Sequence, residues 1–282
     1  MRDVFFPESL EALWPFLEES SRALLAGGTD LLVKVRAGRA DPSAFICLER
    51  IAELRGVRER ETDLWIGACT SHAELIGHPL VERHLPVLHQ ALRGLGSPLI
   101  RRMGTLGGNL CTASPAGDTL PPLYVLDAVL ELRSRSGKRA VPIGEFITGP
   151  GRTRLEPGEI LAGVRVEKPA GRQVHHFEKV GQRKAMAIGV ASMAALLRFS
   201  ADGAIEAARF AWGSVGPTVM TCQPAEALLA GERPSREVFE RAAALARAAV
   251  APIDDIRASA EYRRTVSGNL LLRLLSLHSV LP

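Results

Sequence analysis

Across residues 1–50 the apolar positions change period more than once. Leu10, Leu13 and Leu17 recur at helical spacing behind Pro7-Glu8-Ser9 and predict an amphipathic helix. Residues 22–26 form a short apolar run that predicts a strand. Gly27-Gly28-Thr29-Asp30 then turns into a second helix expected over about 31–37, and residues 44–48 read as another strand. A helix between two strands points to a parallel βαβ-like unit.

Composition shifts after about residue 56. Residues 63–68 predict a strand, and Thr70-Ser71-x-x-Glu74 carries the capping-box start of a helix. Helical segments are expected over 79–95, closed by the breaker Gly94-Leu95-Gly96-Ser97-Pro98. Residues 105–118 are too rich in Gly, Pro, Asn and Ser to predict a regular element, and so long an irregular stretch is usually functional or mobile. A helix over 120–126, a strand over 129–133, a loop-rich stretch to Pro157 and a strand over 160–166 follow. Residues 168–172 read as a linker. Beyond it, strands are expected at 174–180, 188–199 and 204–212, the last two joined by a hairpin at Ala201-Asp202-Gly203. Helices are expected at 225–229, 236–250 and 261–277. The layout is α+β with a boundary near 170.

Composition narrows the function classes. With 46% apolar and 23% charged residues in 282, the chain is globular and long enough for about two domains. The pI of about 9.1 looks basic, but 35 cationic residues against 31 acidic ones leave only +4. With aromatics at 5%, that surplus does not argue for nucleic acid. The uncharged stretch 185–197 is shorter than the roughly 18 apolar residues of a membrane span. The first residues have no apolar core of a secretory signal, so reduced cytoplasmic thiols are expected. The cysteines at 47, 69, 111 and 222 have no CxxC spacing, so no zinc site and no iron–sulfur cluster is expected in this chain.

Common catalytic signatures are also missing. There is no G-x-G-x-x-G and no G-x-x-x-x-G-K-[ST], and Gly213-Ser214-Val215-Gly216 falls one residue short of a nucleophile elbow. His72, His78, His84 and His89 are spaced six, six and five apart, which fits surface or loop histidines better than a helical metal pair. His175-His176 on a strand point to opposite faces. Two glycine-rich loops remain. Residues 26–30 lie between a strand and a helix, where glycine lets backbone amides approach an anion. Thr105-Leu106-Gly107-Gly108-Asn109 runs on to Asp118, which could accept a hydrogen bond from a ribityl or ribose hydroxyl. Each loop alone reads more readily as a turn, and Asp118 as a helix N-cap.

Together, AGGTDLLVKVRAG (26–38), IRRMGTLGGNLCTASPAGDTLPPLYVLDA (100–128) and PIDDIRASAEYRR (252–264) resemble the FAD-binding medium subunit of molybdenum hydroxylases, the xanthine dehydrogenase and aerobic carbon monoxide dehydrogenase family. The resemblance covers essentially the whole chain. It implies a PCMH-type, vanillyl-alcohol-oxidase/MurB-like FAD-binding fold over 1–170, with subdomains of about 1–56 and 57–170. A C-terminal antiparallel sheet with helices over 171–282 would follow.

It also implies a first pyrophosphate loop of Leu24, Leu25, Ala26, Gly27, Gly28, Thr29, Asp30 and Leu31. Thr105, Leu106, Gly107, Gly108 and Asn109 would form the second loop, and Asp118 would bind the flavin nucleotide. Leu95 would be an apolar contact, Ile160 or Leu161 a backbone contact to the isoalloxazine, and Lys179 a cation near the ring. Members often carry an acidic residue where this chain has Ala187. No catalytic acid, base or metal ligand is implied here. The implied partners are a small subunit with [2Fe–2S] clusters and a large molybdopterin subunit, in a dimer of heterotrimers. Electrons would leave to NAD, oxygen or quinone. A free-standing MurB-like reductase and a scaffold that has lost flavin are the alternatives.

Overall fold

The computed structural model describes residues 2–169, 171, 173–183 and 185–276. Ala170 and Arg172 of the expected linker, Lys184, and Leu277 at the expected end of the last helix lie outside these residues. The chain forms two compact units, each assembled from separate stretches. The first contains Met1–Leu80, Ser97–Ala113 and Ala128–Glu167; the second contains Val81–Gly96, Ser114–Asp127 and Lys168–Pro282.

In the first unit, strands Asp3–Phe5, Ala44–Cys47 and Ala23–Leu25 form a parallel sheet in that order. With the Leu31–Arg36 helix this is the expected βαβ unit. Strand Asp3–Phe5 is absent from the sequence expectation because three residues are too few to show alternation.

A second sheet runs Val57–Glu59, Asp63–Gly67, Ile160–Glu167, Val129–Ser134, Gly137–Pro142, with every neighbour antiparallel. The expectation of loop-rich chain up to Pro157 is corrected here. Gly137–Pro142 is an edge strand in which only Val141 is buried, so it carries no apolar alternation and exists through pairing with its neighbour. The Pro98–Met103 helix is likewise hidden in the sequence, because none of its residues is buried. The expected irregular segment 105–118 contains a further helix, Leu106–Thr112.

In the second unit, Gln173–Val180, Ala191–Phe199, Ile205–Gly213 and Met220–Thr221 form an antiparallel sheet in sequence order. Alternation sends Met193, Leu197, Phe199, Phe210 and Trp212 into a core closed by helices Gln223–Leu229, Arg236–Ala249 and Ala260–Arg273. The opposite face carries Ser192, Ala194, Ala211 and Gly213, and helices Pro86–Gly94 and Leu120–Val125 lie against the sheet. A Cβ on Gly213 would meet Ser192 Oγ at 2.6 Å and Pro121 at 3.1 Å, so the small side chains admit the helix. Among the described residues no helix is long and apolar enough to cross a membrane.

Arg263, only 3% exposed, fastens this unit. It donates to the carbonyls of Val190 at 2.7 Å and Ser214 at 2.9 Å, and to Asp255 Oδ1 at 2.6 Å. Asp255 also accepts from the Arg257 amide at 2.8 Å. That amide, together with the Arg263 and Arg257 guanidinium groups, lowers its pKa from 3.8 to about 2. The carboxylate's contribution to stability is therefore complete above 3.8 and is lost as pH falls through about 2. In thermal melts, wild type should exceed Asp255→Asn by a constant margin at neutral pH and by a shrinking one across that window. A margin independent of pH there would contradict the assignment.

Candidate functional site

The first loop grows out of strand Ala23–Leu25. Leu24 and Ala26 pack half-buried on a core that includes Leu10, Leu13, Ile46, Ile51 and Ile160. Gly27 then lies directly on backbone, because a Cβ there would overlap the Met103 carbonyl. Gly28 has φ +69, a conformation that favours glycine. The Gly28 and Asp30 carbonyls accept from Leu32 at 3.1 Å and Lys34 at 3.0 Å, starting the helix. The amides of Gly27, Gly28, Thr29 and Asp30 meet no acceptor among the described residues. A half-buried row of open amides can hold an anion. The Leu31–Arg36 helix has only six residues, so the loop's own amides carry most of this attraction.

The second loop is built differently. Leu106 donates to Thr70 O at 3.1 Å, Gly107 to Ala68 O at 2.8 Å, and Asn109 to Thr105 O at 3.0 Å. Gly108 donates to the capping Thr105 Oγ1 at 3.0 Å. These bonds make the helix that glycine content argues against. A Cβ on Gly107 would sit 2.6 Å from Ala68 Cβ, so close packing overrides helix propensity. The amides of this loop are therefore taken, whereas those of the first are open. Gly108 and Asn109 remain half-buried. Asp30 Oδ2 accepts from the Thr112 hydroxyl at 3.2 Å, which with the Gly27–Met103 contact brings the two loops side by side.

Ile160 and Leu161 are 1% and 5% exposed on strand Ile160–Glu167, so their side chains are buried in the unit. His72 corrects the expectation of a surface histidine: it is 3% exposed, packed beside Gly104, and burial lowers its pKa to about 4. Nothing in its sequence neighbourhood signals this burial.

Within the second unit, Asp118 and Lys179 meet. Lys179 shares the small-residue face of its sheet, opposite Ser192, and its Nζ donates to Asp118 Oδ2 at 2.5 Å and to the Gly94 carbonyl at 3.0 Å. The N-cap of the following helix is Thr119 rather than Asp118, so the carboxylate does not cap that helix. One of three Nζ donors stays open, and Asp118 Oδ1 accepts from no described residue. Burial raises the Asp118 pKa and Lys179 opposes the rise. Leu95, next to Gly94, is 9% exposed. On the neighbouring strand residues, half-buried His175 has a shielded Nδ1 without a partner, while His176 on the other face pairs with Glu178 at 3.4 Å.

An antiparallel and parallel α+β unit with an open amide loop, joined in one chain to an antiparallel sheet backed by helices, is a class of fold suited to holding an anionic ligand. Sequence comparison agrees. The family described as the FAD binding domain in molybdopterin dehydrogenase matches residues 1–169, and the carbon monoxide dehydrogenase flavoprotein C-terminal domain matches residues 176–277. The chain is 36% identical to the putative xanthine dehydrogenase FAD-binding subunit of Escherichia coli K12, covering 85% of this chain and 82% of that one. It is 32% identical to the carbon monoxide dehydrogenase medium chain of Hydrogenophaga pseudoflava, covering 91% and 89%. A solved carbon monoxide dehydrogenase from Hydrogenophaga pseudoflava, lacking the Mo-pyranopterin moiety, matches with a TM-score of 0.95 and 31% identity over 100% of this chain and 98% of that one. The chain belongs to the FAD-binding medium subunit family of molybdenum hydroxylases.

Removing the lysine should push the Asp118 carboxyl further up, since Lys179 is what holds it down. Following the carboxyl infrared band against pH in wild type and Lys179→Met tests this. Titration at the same pH in both proteins would contradict the pairing.

Proposed function

We propose that the Gly27–Asp30 amides bind the FAD pyrophosphate, with Leu24, Leu25, Ala26 and Leu31 shaping that loop and Thr105, Leu106, Gly107, Gly108 and Asn109 forming its neighbour. The observation that supports this most directly is the row of open amides inside the segment matched by the FAD-binding family. Two glycines suit the role because a side chain at Gly27 or Gly107 would displace backbone. Asp118 takes a ribityl or ribose hydroxyl through Oδ1. Lys179 holds positive charge beside the isoalloxazine, Leu95 supplies an apolar contact, and the Ile160 or Leu161 main chain meets the ring.

Bound FAD supplies a redox centre that takes electrons singly from iron–sulfur clusters and releases them in pairs. In this reading, residues 1–170 form the FAD-binding domain, with subdomains of about 1–56 and 57–170, and 171–282 the C-terminal one. Electrons arrive from [2Fe–2S] clusters of a small partner, molybdopterin sits in a large one, and the assembly is a dimer of heterotrimers. NAD, oxygen or quinone receives the electrons. The similarity to medium chains of carbon monoxide dehydrogenase supports this arrangement.

The full chain should take up FAD in equal proportion, and Gly27→Ala should lose it while keeping its far-UV dichroism. Flavin fluorescence during titration with FAD reads this; a wild-type chain that takes up none overturns the proposal. Lys179→Ala should retain FAD and shift its midpoint potential downward, because a cation favours the electron-rich ring. An unchanged potential in spectroelectrochemistry retires that role for Lys179.

A further inference from the structure

Asp118 and Lys179 hold opposite charges in a place nearly closed to water. Their side chains are 10% and 11% exposed. The ammonium meets Oδ2 at 2.5 Å and the Gly94 carbonyl at 3.0 Å. Ser192 and Gly213 beside Lys179 on the sheet bring no charge, and neither do residues 114–117 before Asp118. With the carboxyl ionised the pair is neutral as a whole; with the carboxyl protonated it carries one positive charge.

Further titratable groups stand on the elements packed around the pair. Helix Pro86–Gly94 brings His89 and Arg93, helix Leu120–Val125 brings Tyr124, the small-residue face of the sheet brings His175 and Arg209, and the turn after Lys179 brings Arg183. Burial raises the Tyr124 pKa and lowers that of His175 to about 4, so both are uncharged at neutral pH. Arg209 pairs with Asp127, and Arg183 donates to the carbonyls of Ala185 at 3.1 Å and Met186 at 2.7 Å. Lys179 is the charge that acts on Asp118. Burial pushes the carboxyl up and Lys179 pushes it down, so its proton affinity depends on how firmly the ammonium stays with it.

We infer that Asp118 binds one proton when a flavin held beside Lys179 receives its pair of electrons, and releases it when they leave. The inference rests on the reading above that the ring lies beside Lys179 and a flavin hydroxyl on Asp118 Oδ1. Lys179 has one open Nζ donor to turn toward the electron-rich ring. The ammonium then balances the ring's charge instead of the carboxylate's, and a carboxylate stripped of its counter-charge in so dry a site takes a proton. Oδ1 receives that proton from water, and the flavin hydroxyl changes from donor to acceptor. Two electrons enter from the partner's iron–sulfur centres with two protons from water, one for the ring and one for Asp118. The same electrons and protons leave on reoxidation. Because the two bindings are linked, the proton on Asp118 strengthens the hold on the electrons by the factor that the electrons strengthen the hold on the proton.

The test uses the full chain loaded with FAD and reduced at an electrode, with wild type beside Asp118→Asn and Lys179→Met. Reduction of wild type at neutral pH should bring up a carboxylic-acid C=O band in the infrared difference spectrum. Its midpoint potential should fall about twice as steeply with pH as that of Asp118→Asn, two protons per electron pair against one. Lys179→Met, with no cation to hold the carboxyl down, should show the acid band before reduction and the shallow slope. A slope unchanged in Asp118→Asn, or no acid band in reduced wild type, overturns the inference. Should Asp118→Asn shed its FAD, Lys179→Met decides by the same two readings: an acid band that still arises only on reduction overturns the inference. A wild-type chain that takes up no FAD defeats the functional reading and this inference with it, whereas bound FAD with the shallow slope overturns the inference alone.

Discussion

The contact of Gly27 with the Met103 carbonyl governs the first unit. No other residue type allows that approach, and glycine accepts a conformational-entropy cost of about 0.5–1 kcal/mol to make it. Once the backbone lies there, Gly28 turns through a positive φ and the Thr112 hydroxyl reaches Asp30. Amides from Gly27 to Asp30 are left without a protein acceptor. A ligand with several acceptor oxygens would satisfy them, so the close backbone approach and the open donors are two sides of one arrangement. The neighbouring Gly107 contact has the opposite outcome: its close packing on Ala68 consumes the amides and makes a helix.

The second unit depends on a different economy of size. Ser192, Ala194, Ala211 and Gly213 leave one sheet face shallow, so two helices from earlier in the chain settle on it. That packing delivers Asp118 and the Gly94 carbonyl to Lys179. The side chains of the pair are about one-tenth exposed, so removing one partner strands a buried charge, a change that costs about 3–5 kcal/mol in comparable pairs. Each member of the buried pair keeps one unused hydrogen-bonding position. Elsewhere in the unit, Arg263 concentrates three hydrogen bonds on the Val190 and Ser214 carbonyls and Asp255.

Local signals carried much of the fold. The Ser71–Glu74 capping box forms as its spacing implies, with Ser71 N donating to Glu74 Oε2 at 2.7 Å and Glu74 N to Ser71 Oγ at 3.2 Å. The βαβ unit, the long strands after residue 170 and the C-terminal helices follow apolar period. What stayed hidden shares a physical cause. Asp3–Phe5 and Gly137–Pro142 are held by pairing and not by burial, Pro98–Met103 buries nothing, and Leu106–Thr112 is stabilised by acceptors distant in sequence.

The sequence by itself determined which residue types stand ready: two glycine pairs, one aspartate, one lysine and the family strings that order them. It could not say which glycine pair keeps its amides open, since that turns on where the carbonyls of Ala68, Thr70 and Met103 arrive. Nor could it bring the chain after the first glycine pair beside the Pro98–Met103 helix, because those stretches are neighbours only in the folded unit. Period and propensity are read within a few residues along the chain. Hydrogen-bond satisfaction and surface charge are decided by contacts between segments far apart in it.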